Sequence, residues 1–299
     1  MKPIGGGAGD ELRADAEVQV GARNLFAGCV PERDEEIAAL WAEYDLMFRL
    51  AQDTHDGENL VMRGGLYRYI DFNHRTLRAV WVAGYAAWEG YSAMAAAMAS
   101  NEAGDFARFQ ELVGAVGRIA NSAHPECEPL PEGIAEPGRY DGQSVPGRVA
   151  ADLATFAACW AFLHEVRHVQ HQREGTGADR DDCDPSRRHQ EELSCDSFAT
   201  EYLLAKAGEY AAAQAVPPAK VRLKRETGIY FALFALGVLS EGRIGDTPTH
   251  PALSERIDAV QAAVGSQGTW EAQVIARLAF EALRRLYPEM PTVPITLCA

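Results

Sequence analysis

The sequence predicts a mostly α-helical protein with little β structure. Long stretches carry apolar residues at helical spacing, and several are Ala-rich runs bounded by proline or glycine. Only one short region has strand character. The chain has 299 residues, 47% hydrophobic and 24% charged, a globular balance that excludes wholesale disorder. That length suits one or two domains with their own cores.

Residues 1–30 read as a flexible N-terminal segment, and the first dozen, with the run Gly5-Gly6-Gly7, are expected to be disordered. After Pro31, Ile37, Leu40, Trp41, Tyr44, Leu46 and Met47 predict a helix. Two short apolar runs, Leu60–Met62 and Leu66–Ile70, flank Gly64-Gly65 and predict a short hairpin. Helices are expected over Arg75–Ser100 and Asp105–Ile119. The proline- and glycine-rich stretch from His124 to Pro146 then divides an N-terminal helical region, 31–146, from a second region, 147–299. In the latter, Gly147–Glu174 reads as one long helix. Asp184 and Pro185 start another that runs to about Ala207. Further helices are expected over Pro218–Glu241 and Pro251–Val264, and a last one capped by Thr269 stops before Pro288.

With 28 Lys+Arg against 43 Asp+Glu, the net charge is −15, which disfavours nucleic acid or an anionic membrane as partner. The N-terminus lacks the apolar core of a signal peptide. Ala79–Ser100 is long enough to span a bilayer but carries Glu89, and Gly228–Ser240 falls short of the ~20 residues needed. Both read as buried helices, so a soluble, cytoplasmic chain is expected. The six cysteines form no C-x-x-C pair and read as buried reduced thiols.

The long helix contains His164-Glu165-Val166-Arg167-His168, an H-E-x-x-H. Residues four apart on a helix lie one above the other, so two imidazoles can converge on one ion. Glu165, one residue round, can lean over the ion's open position and take a proton from water that zinc has acidified. By itself the motif also fits a helix whose His and Glu face solvent, and Arg167 is charged where the stricter motif is not. His171, seven residues from His164, is too far along the axis to share the ion and reads as a surface or supporting residue.

A third ligand is sought in Glu191-Glu192-Leu193-Ser194-Cys195-Asp196. Glu192 and Asp196 share a face that continues with Ala199 and Leu203. Carboxylates there are costly to bury without a partner. Glu192 is the expected ligand, and Asp196 would orient a ligating His. Glu191 shares a neighbouring face with Cys195, Phe198 and Tyr202, and periodicity alone does not choose between the two glutamates.

H-E-x-x-H on one helix and E-x-x-x-D on a later one resembles the gluzincin arrangement of zinc metallopeptidases. Thr249-His250-Pro251-Ala252-Leu253-Ser254-Glu255-Arg256-Ile257 is similar to the T-H-P-x-x-x-x-R-I element of the CaaX-prenyl-protease and heat-shock-protease-X group. That resemblance implies a zincin-like catalytic region. It also implies that His250 stabilises substrate or transition state, and that Arg256 pairs with a carboxylate. Those relatives are mostly membrane-embedded; a soluble chain with these pieces is more similar to the phage-exclusion (Lit-type) peptidases. The resemblance implies a Zn²⁺-dependent endopeptidase acting on an intracellular protein in phage exclusion or another stress response, with a peptide or protein activator as a further partner. The alternative is a metal-binding, non-proteolytic scaffold or sensor. A di-iron bundle would need a second E-x-x-H, for which Asp71-x-x-His74 is a poor substitute. No G-x-S-x-G supports serine hydrolysis.

Overall fold

A computed structural model describes residues 13–51, 60–64, 67–137, 144–179 and 184–295. The first twelve residues, where disorder is expected, lie outside them. Helix α1 (Ala16–Cys29) and helix α2 (Asp34–Tyr44) precede a small sheet of β1 (Met47–Ala51), β2 (Met62–Gly64) and β3 (Tyr69–Asn73). Helices α3 (His74–Ser100), α4 (Ala107–Asn121) and α5 (Val145–Glu174) follow. Then come α6 (Pro185–Leu204), α7 (Ala207–Ala213), α8 (Pro218–Leu239), α9 (Leu253–Val264) and α10 (Trp270–Arg284). The mostly α expectation holds.

Helix α5 is the axis. Ser144 caps it by accepting from the Gly147 N–H, Pro146 occupies its first turn, and Gly175 ends it in the left-handed conformation. Its buried residues, among them Leu153, Ala154, Trp160, Phe162, Leu163, Val166 and Val169, run round most of its circumference. Such a helix must be covered on several sides, and α3, α6 and α8 pack on it. Among the described residues it is the one helix long and apolar enough to cross a bilayer, yet 67% of its apolar window is buried inside the protein. The two stretches weighed as spans from the sequence lie in α3 and α8, both core helices.

The sheet has the order β1-β3-β2, with β1 parallel and β2 antiparallel to β3. Met62 faces Phe72 and Gly64 faces Ile70, so an antiparallel pair forms where the hairpin is expected. Both strands are shifted towards the C-terminus, and Gly64 is the last residue of β2 rather than part of a break; residues 65 and 66 lie outside the described set. Phe48 of β1 and Phe72 of β3 meet Phe162 of α5 with ring centroids 5.4 and 5.1 Å apart. The sheet is thus seated on α5 just upstream of His164, and edge strand β2 lies over the motif.

Four expectations need correction. The segment expected to be flexible to residue 30 is helical from Ala16. Asp15 caps α1 through the Glu17 and Val18 N–H groups, and Val18, Ala22, Phe26 and Cys29 bury one stripe. Leu46 and Met47 are not on α2, because Asp45 turns left-handed at φ 48° and Met47 opens β1 in register with Tyr69. Thr269 precedes α10 but makes no side-chain cap: its hydroxyl donates to Glu226 of α8 instead. Finally, the proline-rich stretch does not separate two cores. One buried apolar cluster runs from Val18 through α3 and α4 to α5, α8 and α10. Of the cysteines, Cys29, Cys159 and Cys195 are buried free thiols, Cys127 is exposed, and Cys183 and Cys298 lie outside the described residues.

Candidate metal centre

His164 and His168 lie on the face of α5 that meets α6. Asp184, accepting from the Ser186 N–H, and Pro185 set the start of α6. From that start, Glu191, Glu192 and Asp196 face α5. Trp160 Nε1 donates to Thr200 Oγ1 at 3.0 Å, fastening the two helices one turn further along.

The His164 and His168 Nε2 atoms are 3.2 Å apart. Glu192 places Oε2 3.2 Å from His164 Nε2 and Oε1 3.2 Å from His168 Nε2. Three donors about 2.0 Å from a tetrahedral ion are about 3.3 Å from one another, so this triangle has the size of a zinc face. Glu192 Oε2 is buried without a hydrogen-bond partner among the described residues, an arrangement that is costly unless a cation faces it. His164, His168 and Cys195 also offer ligand atoms within 4.8 Å of one another, a looser grouping.

The outer ring nitrogens are each held by a carboxylate. His164 Nδ1 donates to Asp196 Oδ1 at 2.8 Å, and His168 Nδ1 donates to Glu191 Oε1 at 2.7 Å. Those bonds leave both Nε2 lone pairs aimed inward in the neutral rings. Both glutamates are therefore used: Glu192 meets the inner nitrogens and Glu191 the outer face of His168. Glu191 Oε2 also accepts from the Ala178 N–H at 2.5 Å, which ties the loop after α5 to the site.

Asp196 is fully buried and accepts from Arg256 Nε at 2.8 Å and Nη2 at 2.6 Å. The carboxylate partner expected for Arg256 is therefore the one behind His164. Burial opposes the Asp196 charge, but Arg256 outweighs it and holds the carboxyl below the usual range. Burial likewise opposes an imidazolium at His164, yet Asp196 and Glu192 raise it to about 10 in the metal-free protein. His168 is raised as well, its carboxylate and thiol neighbours overcoming burial. Glu192, between the two rings, is lowered against its own burial.

Glu165 flanks the triangle. Its Oε2 accepts from the Gly64 N–H of β2 at 2.5 Å, and burial pushes its carboxyl up. His250 lines the same cleft, half-exposed, with Nε2 3.7 Å from Glu192 Oε1 and Nδ1 2.8 Å from Thr249 Oγ1. Its loop is docked on α6, where His189 Nε2 donates to the Thr247 carbonyl at 2.7 Å. His171 stays out of the cluster and bonds Thr176 Oγ1 and Ser194 Oγ. A cleft of about 760 Å³ opens onto the group, bordered by Arg63, Tyr67, Gln172, Arg188 and His250.

The structure thus brings together every candidate residue from the sequence. What the sequence did not reveal is the Gly64 N–H on Glu165 and the role of Glu191 behind His168. The first is a main-chain group with no residue signature; the second had a signal only in its neighbouring helix face.

A family model described as peptidase U49 matches residues 70–276. No curated protein and no solved structure matches the chain.

Proposed function

The chain belongs to the peptidase U49 family, and from that premise we propose that it is a zinc-dependent endopeptidase of the gluzincin type. The observation that carries the reading is the 3.2 Å triangle of His164, His168 and Glu192, with Glu165 beside it. Glu192 is preferred to Cys195 as third ligand because its oxygens approach both Nε2 atoms, whereas the thiol belongs to the looser group. A zinc ion held there would polarise a peptide carbonyl and acidify water.

The protein's own groups supply the rest. Asp196 and Glu191 keep the imidazoles in the tautomer that presents Nε2. Glu165 takes a proton from water in the cleft as the oxygen adds to the carbonyl carbon. It then delivers that proton to the leaving amine nitrogen as the C–N bond breaks. A carboxyl pushed up by burial suits both steps. His250 accepts from the Thr249 hydroxyl at Nδ1, so its Nε2–H faces the cleft and donates to the oxyanion of the transition state. The substrate is an intracellular protein in the cytoplasm, in phage exclusion or another stress response, with a peptide or protein activator. The net charge of −15 speaks against nucleic acid and anionic lipid as partners.

The test pairs metal analysis with cleavage of a proteome-derived peptide library. Wild type should bind one zinc per chain and cleave. Glu165→Gln should keep the zinc and lose about 10²–10⁴-fold in rate, and His164→Ala should lose both. Zinc bound with no cleavage, and an unchanged cellular phenotype in Glu165→Gln, would favour the non-proteolytic scaffold.

A further inference from the structure

Strand β2 does more than border the cleft. The Gly64 N–H donates to Glu165 Oε2 at 2.5 Å, a short bond to a carboxylate. Among the described residues it is the one hydrogen bond that holds the Glu165 side chain. A methyl group built on Gly64 would lie 2.8 Å from His168 Cβ and 3.1 Å from the Glu165 carbonyl oxygen. Neither is the far end of a flexible chain; both belong to the rigid body of α5. Any other residue would push the strand off the helix and stretch the bond.

The strand is fixed where it must be. Arg63 reaches Asp71 on β3 at 3.8 Å, and Arg49 of β1 holds the same carboxylate at 2.6 and 2.9 Å. Upstream, the Val61 N–H donates to Thr76 Oγ1 at 2.8 Å. Downstream, the Tyr67 N–H donates to Gln172 Oε1 at 2.8 Å, one turn beyond His168 on α5 itself. Tyr67 takes the left-handed conformation at φ 57°, unusual for a residue with a side chain. The hairpin is thus tied to α3 upstream of the Gly64–Glu165 bond and to α5 downstream of it.

We propose that Gly64 is a positioning residue whose main-chain N–H fixes the Glu165 carboxylate, and that its missing side chain lets the strand approach closely enough to do so. The proposal rests on the reading of Glu165 as the proton carrier. It places an essential donor outside the segment matched by the family model, which begins at residue 70. A carboxylate left to rotate would stand poorly for proton transfer, and misplacement by about 1 Å costs up to about 100-fold in rate.

Two measurements on the full chain test it. In the first, ¹⁵N–¹H spectra of glycine-labelled protein follow the Gly64 amide. Its resonance should lie well downfield and exchange slowly, and Glu165→Gln should move it upfield and speed its exchange. A Gly64 amide indifferent to Glu165→Gln overturns the proposal whether or not the protein cleaves peptides. In the second, Gly64→Ala should lower kcat about 10–100-fold, with KM within about twofold and zinc content unchanged. Gln172→Ala, which removes the Tyr67 tie at the edge of the cleft, should lower kcat in the same direction by less. Gly117→Ala on α4, where a methyl group meets nothing within 4 Å, is the control for a Gly-to-Ala change. Wild-type kcat in Gly64→Ala overturns this proposal alone. Zinc lost along with kcat in both Gly64→Ala and Gln172→Ala overturns it too, because the strand would then be holding His168. A wild type that binds zinc and cleaves nothing overturns both this proposal and the peptidase reading.

Discussion

Asp196→Asn changes one atom and separates charge from shape behind the metal triangle. Asp196 Oδ1 accepts from His164 Nδ1 at 2.8 Å and from Arg256 Nη2 at 2.6 Å, while Oδ2 accepts from Arg256 Nε at 2.8 Å. An asparagine oxygen can replace Oδ1, but its NH₂ then faces the Arg256 Nε–H, donor against donor. Turning the amide over saves that contact and sacrifices His164 Nδ1. Either way Arg256 keeps its charge in a buried site and loses the carboxylate it is hydrogen-bonded to. Breaking one side of a buried pair costs about 3–5 kcal/mol, and loss of a carboxylate behind a ligating His costs about 10–100-fold in metal affinity. Chelator competition would read the affinity, and urea unfolding of the metal-free protein would read the stability. The wild-type contribution should vanish below the ordinary carboxylate range. Asp196 is lowered in the fold, so its stabilisation is present above the unfolded value of 3.8 and fades as pH falls towards the folded one. Asp196→Asn should lack that acid limb. A variant with zinc affinity within twofold of wild type and stability within about 1 kcal/mol would refute the reasoning.

Two further outcomes follow from the same geometry. Glu192→Ala should lose the bound zinc while Cys195→Ser keeps one ion per chain, as counted by metal analysis after dialysis; the reverse pattern would make Cys195 the third donor. The second concerns pH. In the metal-free protein burial opposes charge on His164 and His168, but their carboxylate neighbours raise both, His164 to about 10. A raised His contributes stability in full below its unfolded value of about 6.5 and loses it as pH rises through the folded value. The metal-free protein should therefore lose Tm between about pH 6.5 and 10, while the loaded protein, with neutral imidazoles on the ion, should not. Parallel Tm curves for the two forms would contradict this.

The site was legible where periodicity and chemistry agreed. His164 and His168 stand four apart on a helix that any apolar count would find, and Asp196 follows Glu192 by one turn on the buried face. The choice between Glu191 and Glu192 was not legible as a choice, because the protein uses both. The turn of α6 that points Glu192 at the inner nitrogens sends Glu191 to the outer side of His168. Helix α1 escaped notice because Gly21 and Gly28 interrupt its pattern, and its stripe of Val18, Ala22, Phe26 and Cys29 gains meaning only against Trp41 and Phe48. The end of α2 was misplaced for a related reason. Leu46 and Met47 continue the helical spacing, but the parallel pairing of β1 with β3 is a long-range preference that no local window contains.

The acidic composition also acquires a local meaning. Glu165, Glu192 and Asp196 converge in a space where three negative charges would repel one another and lose their hydration. Glu191 adds a fourth charge and Arg256 offsets it, so the residues alone leave a triple negative excess around the inner nitrogens. In the metal-free protein, protons taken up by the two imidazoles relieve that excess, which is why both rings are raised. A divalent cation relieves it equally well and releases those protons. The same carboxylates that make the empty site basic thus make the filled site tight, and metal affinity should climb with pH until the imidazoles are neutral on their own.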